Sequence, residues 1–552
     1  MKPHHSRREI LKACSLVTVA AMAPSGGVLS SVAAPESEQS FNYPGLIPLP
    51  ATLKSFPQKP LPLHDGMTIR FRGSAVDGRP LLNYAVDKFR QNFGITLVPL
   101  HAHAPAEKVQ FDLAQEAGQM MDGPAWRQAE AYNLDTHTAE GGVSLRATHC
   151  HGLFNGLVTL LQLAVSRKSG GFAHPLWEIP AVKVHDFPRF EWRGFMLDVS
   201  RHFFDTHEVM AVLDAMASLK LNIFHWHLTD DQGWRLAIPK YPKLTDIGAW
   251  RKSIGFGFQH SQTAHYNAAG QYGGFYTPAD IRRVLEFARQ RHITVVPEIE
   301  MPGHCSAALH VYPELGCTGQ QVPIPSHSIW QTRYAYCASN PAVFTFLSNV
   351  LEETARLFPG PFLHTGGDEV AYNNWQNCPS CLALMKARHI DSMPALQGYF
   401  EQRVSDIVRK LGRSMVCWHD NPHYSPPGMI AMAWHGKSPQ IGPAMAAAGH
   451  PVVPCPQGHM YFDWLPASTP TQKVYAFEPL TPGFTPHLRP LLLGSQANLW
   501  TEHVPNLSVV WDRIFPRLCA AAEVFWTARG ERNWTAFSGR LTGYRTPPAK
   551  SV

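Results

Sequence analysis

Most of the chain alternates short apolar segments with longer amphipathic ones. The amphipathic segments have helical spacing, and two begin with capping signals, Asp205 three residues before Glu208 and Thr277 directly before Pro278. Alternation repeated about eight times is typical of a (β/α)8 TIM barrel, which we predict over residues 187–545. The predicted strands are RGFMLDV, LNIFHWHL, ITVVPEI, PFLHTGG, SMVCWH, MIAMAWH, PVVPCP and LLLGSQANLW.

A different pattern precedes the barrel. Strand-like segments (MTIRFRG, EAYNLDTHT, GVSLRATH) alternate with helix-like ones (PLLNYAVDKFRQNF, HGLFNGLVTLLQLAVS). We therefore predict a small α/β (α+β) domain over residues 41–186. Because it contains no dense group of reactive residues, the chemistry is expected in the barrel.

The first 34 residues predict an export signal. SRREILKACSLVTVAAMA contains the pair Arg7 and Arg8 before a short apolar run, and small residues surround Ala34. This order is typical of a twin-arginine signal followed by a signal-peptidase site. We expect the mature protein to be exported, to the periplasm.

Composition excludes several classes of partner. The chain is 45% hydrophobic and only 16% charged, as in a well-buried globular protein, and its net charge of +6 is mild for 552 residues. Without a Lys/Arg block beyond the N-terminus, nucleic acid and acidic membrane surfaces are poor candidates. No later apolar stretch reaches the roughly 18 residues of a membrane span. The sequence leaves the oligomeric state open.

Polar and aromatic residues concentrate at the ends of the predicted strands. In such barrels the catalytic residues lie at the carboxyl ends of the strands. Asp198 and Arg201 follow the first strand, and HWHLTDD, PEIEMPGH and HTGGDE end the next three. Trp418 ends the fifth, Trp434 the sixth, and Trp500 with Glu502 the last. This clustering predicts an active site there.

Two adjacent acids, Asp368 and Glu369, are the strongest catalytic candidates. Gly366 and Gly367 permit the turn that both side chains need to face one pocket. One carboxyl could then be held neutral to donate a proton while the other stays ionised. The alternative is an exposed acidic loop, which the position at a strand end disfavours.

The segment HWH has a spacing that also suits a metal. Together with Asp230 and His304, residues His225 and His227 could form a metal-dependent hydrolase site. We favour the alternative that both face the barrel interior and are satisfied by hydrogen bonds. His304 could instead adjust the proton of a nearby carboxyl. Tryptophans at three strand ends favour a sugar-binding pocket.

The cysteines leave two questions open. Cys378 and Cys381 form a C-x-x-C pair, but no second such pair or histidine pair lies nearby in the sequence, so a structural or loop role is favoured over a zinc or redox role. Cys317 and Cys337 flank a long loop and could form a disulfide after export.

Several motifs together resemble glycoside hydrolase family 20, the β-N-acetylhexosaminidases. They are RGFMLDVSRHFF, LNIFHWHLTDDQGWRLAIPKYPKLTDIGAWR, GGFYTPADIRRVLEFARQRHITVVPEIEMPGH, LHTGGDEV, YFDW, ANLWTE and PRLCAAAEVFW. The resemblance covers about residues 186 to 527, and EAYNL…GLFNGLVTLLQLA is similar to the small domain that precedes the barrel in that family.

The resemblance implies substrate-assisted catalysis with retention, in which the substrate's acetamido group is the nucleophile. Glu369 would be the general acid and base, and Asp368 would hold the acetamide N–H. His304 with Asp230 would form a relay to Glu369, with Asp231 as an alternative partner. The residues implied to bind the sugar are Arg201, Trp418, Trp434, Tyr461, Asp463, Trp500 and Glu502.

We therefore expect an exo-acting β-N-acetylhexosaminidase that releases terminal β-linked GlcNAc or GalNAc and uses no metal or other cofactor. The sequence departs from the family pattern at Glu300, where Asp is common, and at His419-Asp420, where an acidic pair is common. These departures concern preference for the leaving group. The rival hypotheses are a metal-dependent barrel hydrolase and a non-catalytic sugar-binding protein.

Overall fold

The computed structural model describes residues 43–139, 141–167, 176–255, 265–326, 334–419, 421–436 and 438–545. The predicted signal and Asp420 lie outside the described residues. No helix in the described ranges is both long enough and apolar enough to cross a membrane.

Eight parallel strands form the predicted barrel. Neighbours pair in the order seven, six, five, four, three, two, one, eight, and an isolated bridge between Val452 and Leu492 joins the two ends of this sheet. The first strand pairs with both the second and the eighth. The predicted TIM barrel is therefore confirmed. Its strands are Trp192–Asp198, Ile223–His227, Thr294–Glu298, Phe362–His364, Ser414–Trp418, Ile430–Ala433, Val452–Pro454 and Gly494–Leu499.

The strands are apolar because helices cover their outer faces and side chains fill their interior. Every residue of the first and last strands is buried. Asp205 forms the expected capping box, and Thr277 is the expected N-cap and also forms a capping box, with Asp280. The helices from the first strand onward are Thr206–Ser218, Lys243–Asp246, Pro278–Arg289, Ser306–Val311, Pro341–Leu357, Asn373–Gln376, Pro379–Arg388, Met393–Lys410, Ser438–Ala447, Gln457–Met460, Thr471–Ala476, Leu507–Ile514, Arg517–Trp526 and Trp534–Leu541.

The regular alternation fails at one connection. Among the described residues between the fifth and sixth strands there is no helix. This segment contains Pro422, Pro426 and Pro427, which lack the N–H that a helix interior requires.

The N-terminal domain is a seven-stranded mixed sheet with helices packed against it. The helices are Ala75–Phe93, Ala125–Glu130 and Cys150–Leu163. In sheet order the strands are Thr52–Ser55, Val182–Asp186, Tyr132–Asp135, Val143–Ala147, Phe111–Gln115, Thr68–Arg72 and Val98–Leu100. A smaller sheet contains Leu61–Pro62, Leu176–Ile179 and Val165–Arg167.

A buried ion pair joins this sheet to the barrel. Lys220, two residues after the end of the first barrel helix, lies 2.9 Å from Asp186 on the sheet, and both side chains are fully buried. Tyr132 and Trp526 donate further hydrogen bonds to Asp186, of 2.6 and 2.9 Å. A buried charge left unpaired costs several kcal/mol, so this network fixes how the two domains pack.

Candidate active site

The backbone turns sharply after the fourth barrel strand. Gly366 and Gly367 have φ angles of 64° and 104°, and Glu369 has a φ of 48°. Glycine adopts such angles without steric cost, whereas a residue with a side chain is strained there. The turn lets consecutive residues present Asp368 and Glu369 at the same end of the barrel.

Gly366 also lies against a buried carboxyl group. A Cβ added at Gly366 would be 1.7 Å from Oε2 of Glu300. Glu300 is 1% exposed, and neither carboxyl oxygen has a hydrogen-bond partner among the described residues. Burial, followed by the nearby carboxylates of Asp368 and Glu298, holds the pKa of Glu300 well above its usual value. The raised pKa favours the protonated, uncharged form of Glu300 in this buried position.

We expect Gly366→Ala to damage both stability and activity. The methyl group would overlap Glu300 and impose a strained φ, so the free energy of unfolding should fall by about 2–4 kcal/mol. Displacement of the adjacent acids should lower kcat/KM at least about tenfold. The matched control is Gly412→Ala, at a φ of 71° with no atom within 4 Å of the added Cβ, which should cost only about 1–2 kcal/mol. Chemical denaturation measures the free energy of unfolding of both variants. Equal losses in the two would contradict the proposed overlap of the added methyl group with Glu300.

The two adjacent acids occupy different environments. The side chain of Asp368 is 12% exposed and that of Glu369 is 52% exposed. Burial raises the pKa of Asp368 to about 6; His304 opposes the rise and Glu369 adds to it. In the free protein the buried carboxyl is therefore Asp368, whereas the proposed proton donor faces solvent.

His304 lies between these acids and a second acidic pair. Its Nε2 is 3.6 Å from Asp368 and 3.8 Å from Glu369. Its Nδ1 is 3.1 Å from Asp230 and 3.4 Å from Asp231. Burial opposes protonation of His304, but the carboxylates of Asp230 and Asp368 outweigh burial and hold its pKa well above the usual value. The imidazolium can therefore act as a counter-ion to both acidic pairs.

The two candidate partners of His304 differ in their other contacts. One oxygen of Asp231 accepts hydrogen bonds from the backbone N–H and the hydroxyl of Ser306, of 3.0 and 2.5 Å. Asp230 instead lies 2.8 Å from Nη2 of Arg201. Asp230 therefore connects His304 to the arginine, while Asp231 is anchored to the following helix.

Arg201 is buried between acids and an aromatic ring. Its Nη1 lies 3.0 Å from Asp198, and its guanidinium carbon lies 5.1 Å from the ring of Trp500. Burial opposes the charge, yet Asp230, Asp198 and Glu502 hold the pKa of Arg201 well above its usual value. The acidic neighbours hold the guanidinium in place as a fixed cation. N–H groups that they leave free can donate hydrogen bonds to sugar hydroxyls.

Four aromatic side chains form one continuous wall. Trp500 has ring-centroid distances of 5.7 Å to Trp418 and 6.1 Å to Tyr461. Tyr461 and Trp434 lie 6.5 Å apart with an angle of 17° between their planes. Burial, with Asp368 and Asp463 among the adjacent acids, raises the pKa of Tyr461 well above its usual value, so its hydroxyl stays protonated and can donate a hydrogen bond.

Beneath the wall, a network of histidines surrounds Glu298. One oxygen of Glu298 lies 2.8 Å from His364 and accepts a 2.6 Å hydrogen bond from Trp418. The other contacts His227 and lies 2.9 Å from His225. The second nitrogens of His225 and His227 face Gln496 and Asp230. Both histidines thus lie in the barrel interior, with each ring nitrogen facing a polar partner.

The sequence predicted no role for Glu298 or His364, and Glu300 stood out only as a departure from the family pattern. The acids of PEIE at a predicted strand end were the sequence signal that could have identified Glu298 and Glu300.

The candidate residues themselves form one connected group. Direct contacts link Glu369, Asp368, His304, Asp230, Arg201, Trp500, Trp418, Tyr461 and Trp434. Electrostatic interactions add Glu502 and Asp463. Their individual roles stay predictions.

Comparison with known proteins gives consistent matches. The catalytic-domain model of glycosyl hydrolase family 20 matches residues 190–529, and the model of domain 2 of that family matches residues 43–187. A β-hexosaminidase from Porphyromonas gingivalis is 33% identical over 523 residues, covering 92% of this chain and 63% of the relative. One from Vibrio furnissii is 36% identical over 396 residues, covering 69% and 63%. This chain thus spans less than two thirds of either relative.

A similar fold occurs in a crystal structure of a family 20 exo-β-N-acetylglucosaminidase from Vibrio harveyi in complex with N-acetylglucosamine. Its TM-score is 0.77 at 30% sequence identity, and the match covers 93% of this chain and 78% of that one.

Proposed function

The chain belongs to glycosyl hydrolase family 20, and on that basis we propose that it is an exo-acting, retaining β-N-acetylhexosaminidase. Its substrates are glycans with a terminal, non-reducing, β-linked GlcNAc or GalNAc. The observation that carries the proposal is the contact of one histidine, His304, with two adjacent acids, Asp368 and Glu369, in different environments.

In the first step, the substrate's acetamido oxygen attacks the anomeric carbon while the glycosidic C–O bond breaks. Glu369 donates its proton to the leaving oxygen. A cyclic oxazolinium forms, and Asp368 accepts a hydrogen bond from its N–H and offsets its positive charge. His304 and Asp230 hold Asp368 and Glu369 in position.

In the second step, water attacks the anomeric carbon and the oxazolinium ring opens. Glu369, now ionised, takes the proton from water, which restores the starting state and gives the β-anomer of the sugar. Because the substrate supplies the nucleophile, no second carboxylate is needed on the opposite face of the ring, and the two acids can be chain neighbours.

The remaining candidate residues bind the terminal sugar. Tyr461 donates a hydrogen bond to the acetamide carbonyl, and the tryptophans enclose the acetamide methyl group and the apolar sugar face. Arg201, Asp463 and Glu502 bind the hydroxyls of the non-reducing end. The tryptophans are Trp418, Trp434 and Trp500.

We expect turnover to require the acetamido group. An aryl β-N-acetylglucosaminide should be hydrolysed at least about 10³-fold faster, in kcat/KM, than the aryl β-glucoside with the same leaving group. The reason is that the glucoside lacks the internal nucleophile, whose effective concentration is very high. Release of the aryl alcohol measures both rates. Equal turnover of the two substrates would exclude the substrate-assisted mechanism.

The same assay separates the two rival functions. Brief chelation that leaves the protein folded would abolish the activity of a metal-dependent hydrolase. The proposed enzyme would keep its activity. A sugar-binding protein would bind N-acetylglucosamine without turnover of either aryl substrate.

We also propose that residues 1–34 direct export to the periplasm through the twin-arginine route. The support is the pair Arg7 and Arg8 ahead of an apolar run and small residues near Ala34. Replacing both arginines with lysine should leave the uncleaved protein in the cytoplasm, as measured by cell fractionation and mass. Unchanged periplasmic location of the variant would contradict this route.

A further inference from the structure

Four cysteine thiols, from Cys317, Cys337, Cys378 and Cys381, converge outside the candidate active site. We call them the thiol cluster. Their four Sγ atoms all lie within 4.8 Å of one another. Three of the cysteines are buried, at 5%, 5% and 0% exposure for Cys337, Cys378 and Cys381. In the sequence the C-x-x-C pair has no second pair beside it; folding supplies the other two thiols from a separate loop.

The sulfur–sulfur distances fit a shared metal ion. Cys337 Sγ lies 3.7 Å from Cys381 Sγ and 4.0 Å from Cys378 Sγ. Four thiolates about 2.3 Å from a central Zn²⁺ in a tetrahedron would be separated by about 3.8 Å. The cluster is too small to enclose an iron–sulfur cluster, which needs room for its own sulfides between the thiolates.

The backbone presents the thiols in two pairs. Cys378 is the N-cap of helix Pro379–Arg388 and Cys381 lies in its first turn, where the positive end of the helix dipole stabilises a thiolate. An antiparallel bridge pairs Gly316 with Tyr336, so Cys317 and Cys337 each directly follow a bridged residue. The first turn of a helix and two bridged segments of chain therefore meet at the cluster.

A hydroxyl group completes the surroundings. The Oγ of Ser339 lies 3.3 Å from Cys337 Sγ and 3.5 Å from Cys381 Sγ. Hydrogen-bond donors next to thiolate ligands offset their negative charge and orient them.

The cluster joins the two loops that carry the proposed catalytic residues. Tyr336, next to Cys337, donates its N–H to the carbonyl of Pro302 at 2.9 Å, two residues before His304. The carbonyl of Tyr336 accepts a 2.9 Å hydrogen bond from the indole N–H of Trp375, in the short helix Asn373–Gln376 that follows Glu369. A bond between the two loops at the cluster would therefore hold the histidine and the acids in register.

We propose that the thiol cluster is a structural Zn²⁺ site in which four cysteine thiolates hold one ion tetrahedrally. Thiolates are soft ligands, and a tetrahedral set of four selects zinc. With four protein ligands the ion has no open position for water, so it does not take part in the reaction. It stabilises the loops of the third and fourth strands.

The test uses the full chain, purified without added reductant after growth with added zinc. Elemental analysis should give about one zinc per chain, and mass spectrometry of the denatured, chelator-treated protein should show every cysteine alkylated without prior reduction. Cys381→Ser should lower bound zinc at least about tenfold and lower the thermal midpoint. The matched control is Cys519→Ala, a buried cysteine on helix Arg517–Trp526, which should retain the zinc.

A second measurement does not depend on the variant's folding. A mercurial that binds thiols should release the zinc of the wild-type protein in proportion to the cluster thiols modified, detected with a metal-binding dye. Cobalt replacing zinc should show the thiolate charge-transfer and intense visible bands of a tetrahedral site. Disulfides within the cluster in place of zinc, stoichiometric iron, or unchanged zinc in Cys381→Ser would each overturn the proposal.

Discussion

Glu369→Gln should lower kcat/KM about 10²- to 10⁴-fold on a substrate whose leaving group is a second sugar, because glutamine cannot donate the proton that the departing oxygen requires. The loss should be much smaller on a 2,4-dinitrophenyl N-acetylglucosaminide, since that leaving group departs as a stable anion. The fold should not change, because the Glu369 side chain is 52% exposed in the free protein. Initial rates on both substrates measure the difference.

The control for this substitution is Glu352→Gln, an exposed residue on helix Pro341–Leu357. It should retain full activity on both substrates. If Glu369→Gln slowed both substrates equally, its role would be to bind or position the sugar and not to donate a proton. If neither slowed, Glu369 would not be the general acid.

Asp368→Asn should lower kcat/KM for N-acetylated substrates about 10²- to 10³-fold, because the neutral amide cannot offset the positive charge of the oxazolinium. The same substitution should remove an acidic limb from the pH profile. Burial raises the pKa of Asp368 to about 6. Since the ionised form is the active one, wild-type kcat/KM should fall about tenfold per pH unit below about pH 6.

The contribution of Asp368 to the free energy of unfolding should change with pH in the opposite direction to kcat/KM. A carboxyl whose pKa is higher in the folded state than in the unfolded state favours folding at low pH, and that contribution is lost as the pH rises through about 6. A rise from 3.8 to about 6 corresponds to at most about 3 kcal/mol. Asp368→Asn should therefore be more stable than the wild type at pH 7, and the difference should disappear near pH 4.

Thermal midpoints of both proteins from pH 4 to 8 measure this effect. Asp512→Asn, at an exposed position on helix Leu507–Ile514, is the matched control and should follow the wild-type curve. If the wild-type protein were equally or more stable than Asp368→Asn at pH 7, the inference that ionised Asp368 destabilises the folded state would be wrong. A loss of folding stability at one residue is typical of side chains that are retained for catalysis rather than for stability.

The environments of the two acids differ from the simplest expectation for a proton donor. A carboxyl that donates a proton near neutral pH is usually kept neutral by burial, yet the buried member of this pair is Asp368. A sugar bound against the exposed Glu369 would exclude water from it and supply the burial that the free protein lacks. The pH profile of kcat, compared with that of kcat/KM, separates these two states.

The local sequence pattern was sufficient to predict the strands, the helix caps and the turn described above. The eight strands were predicted because strands buried on both faces are continuously apolar, and the caps at Asp205 and Thr277 because capping needs only near neighbours in the chain. The turn at Gly366 and Gly367 was predictable for the same reason. The strand pattern placed most of the candidate residues at strand ends, and the family resemblance added Tyr461 and Asp463.

Sequence by itself therefore determined the barrel and was sufficient to predict the candidate site and its main residues, since these depend on local periodicity and short motifs. Only the tertiary structure decided contacts between distant segments. It decided that Asp230 connects His304 to Arg201. It buried Asp368 rather than Glu369, and it brought the C-x-x-C pair to Cys317 and Cys337. The physical reason is that burial and charge pairing depend on distances through space, which spacing along the chain does not specify.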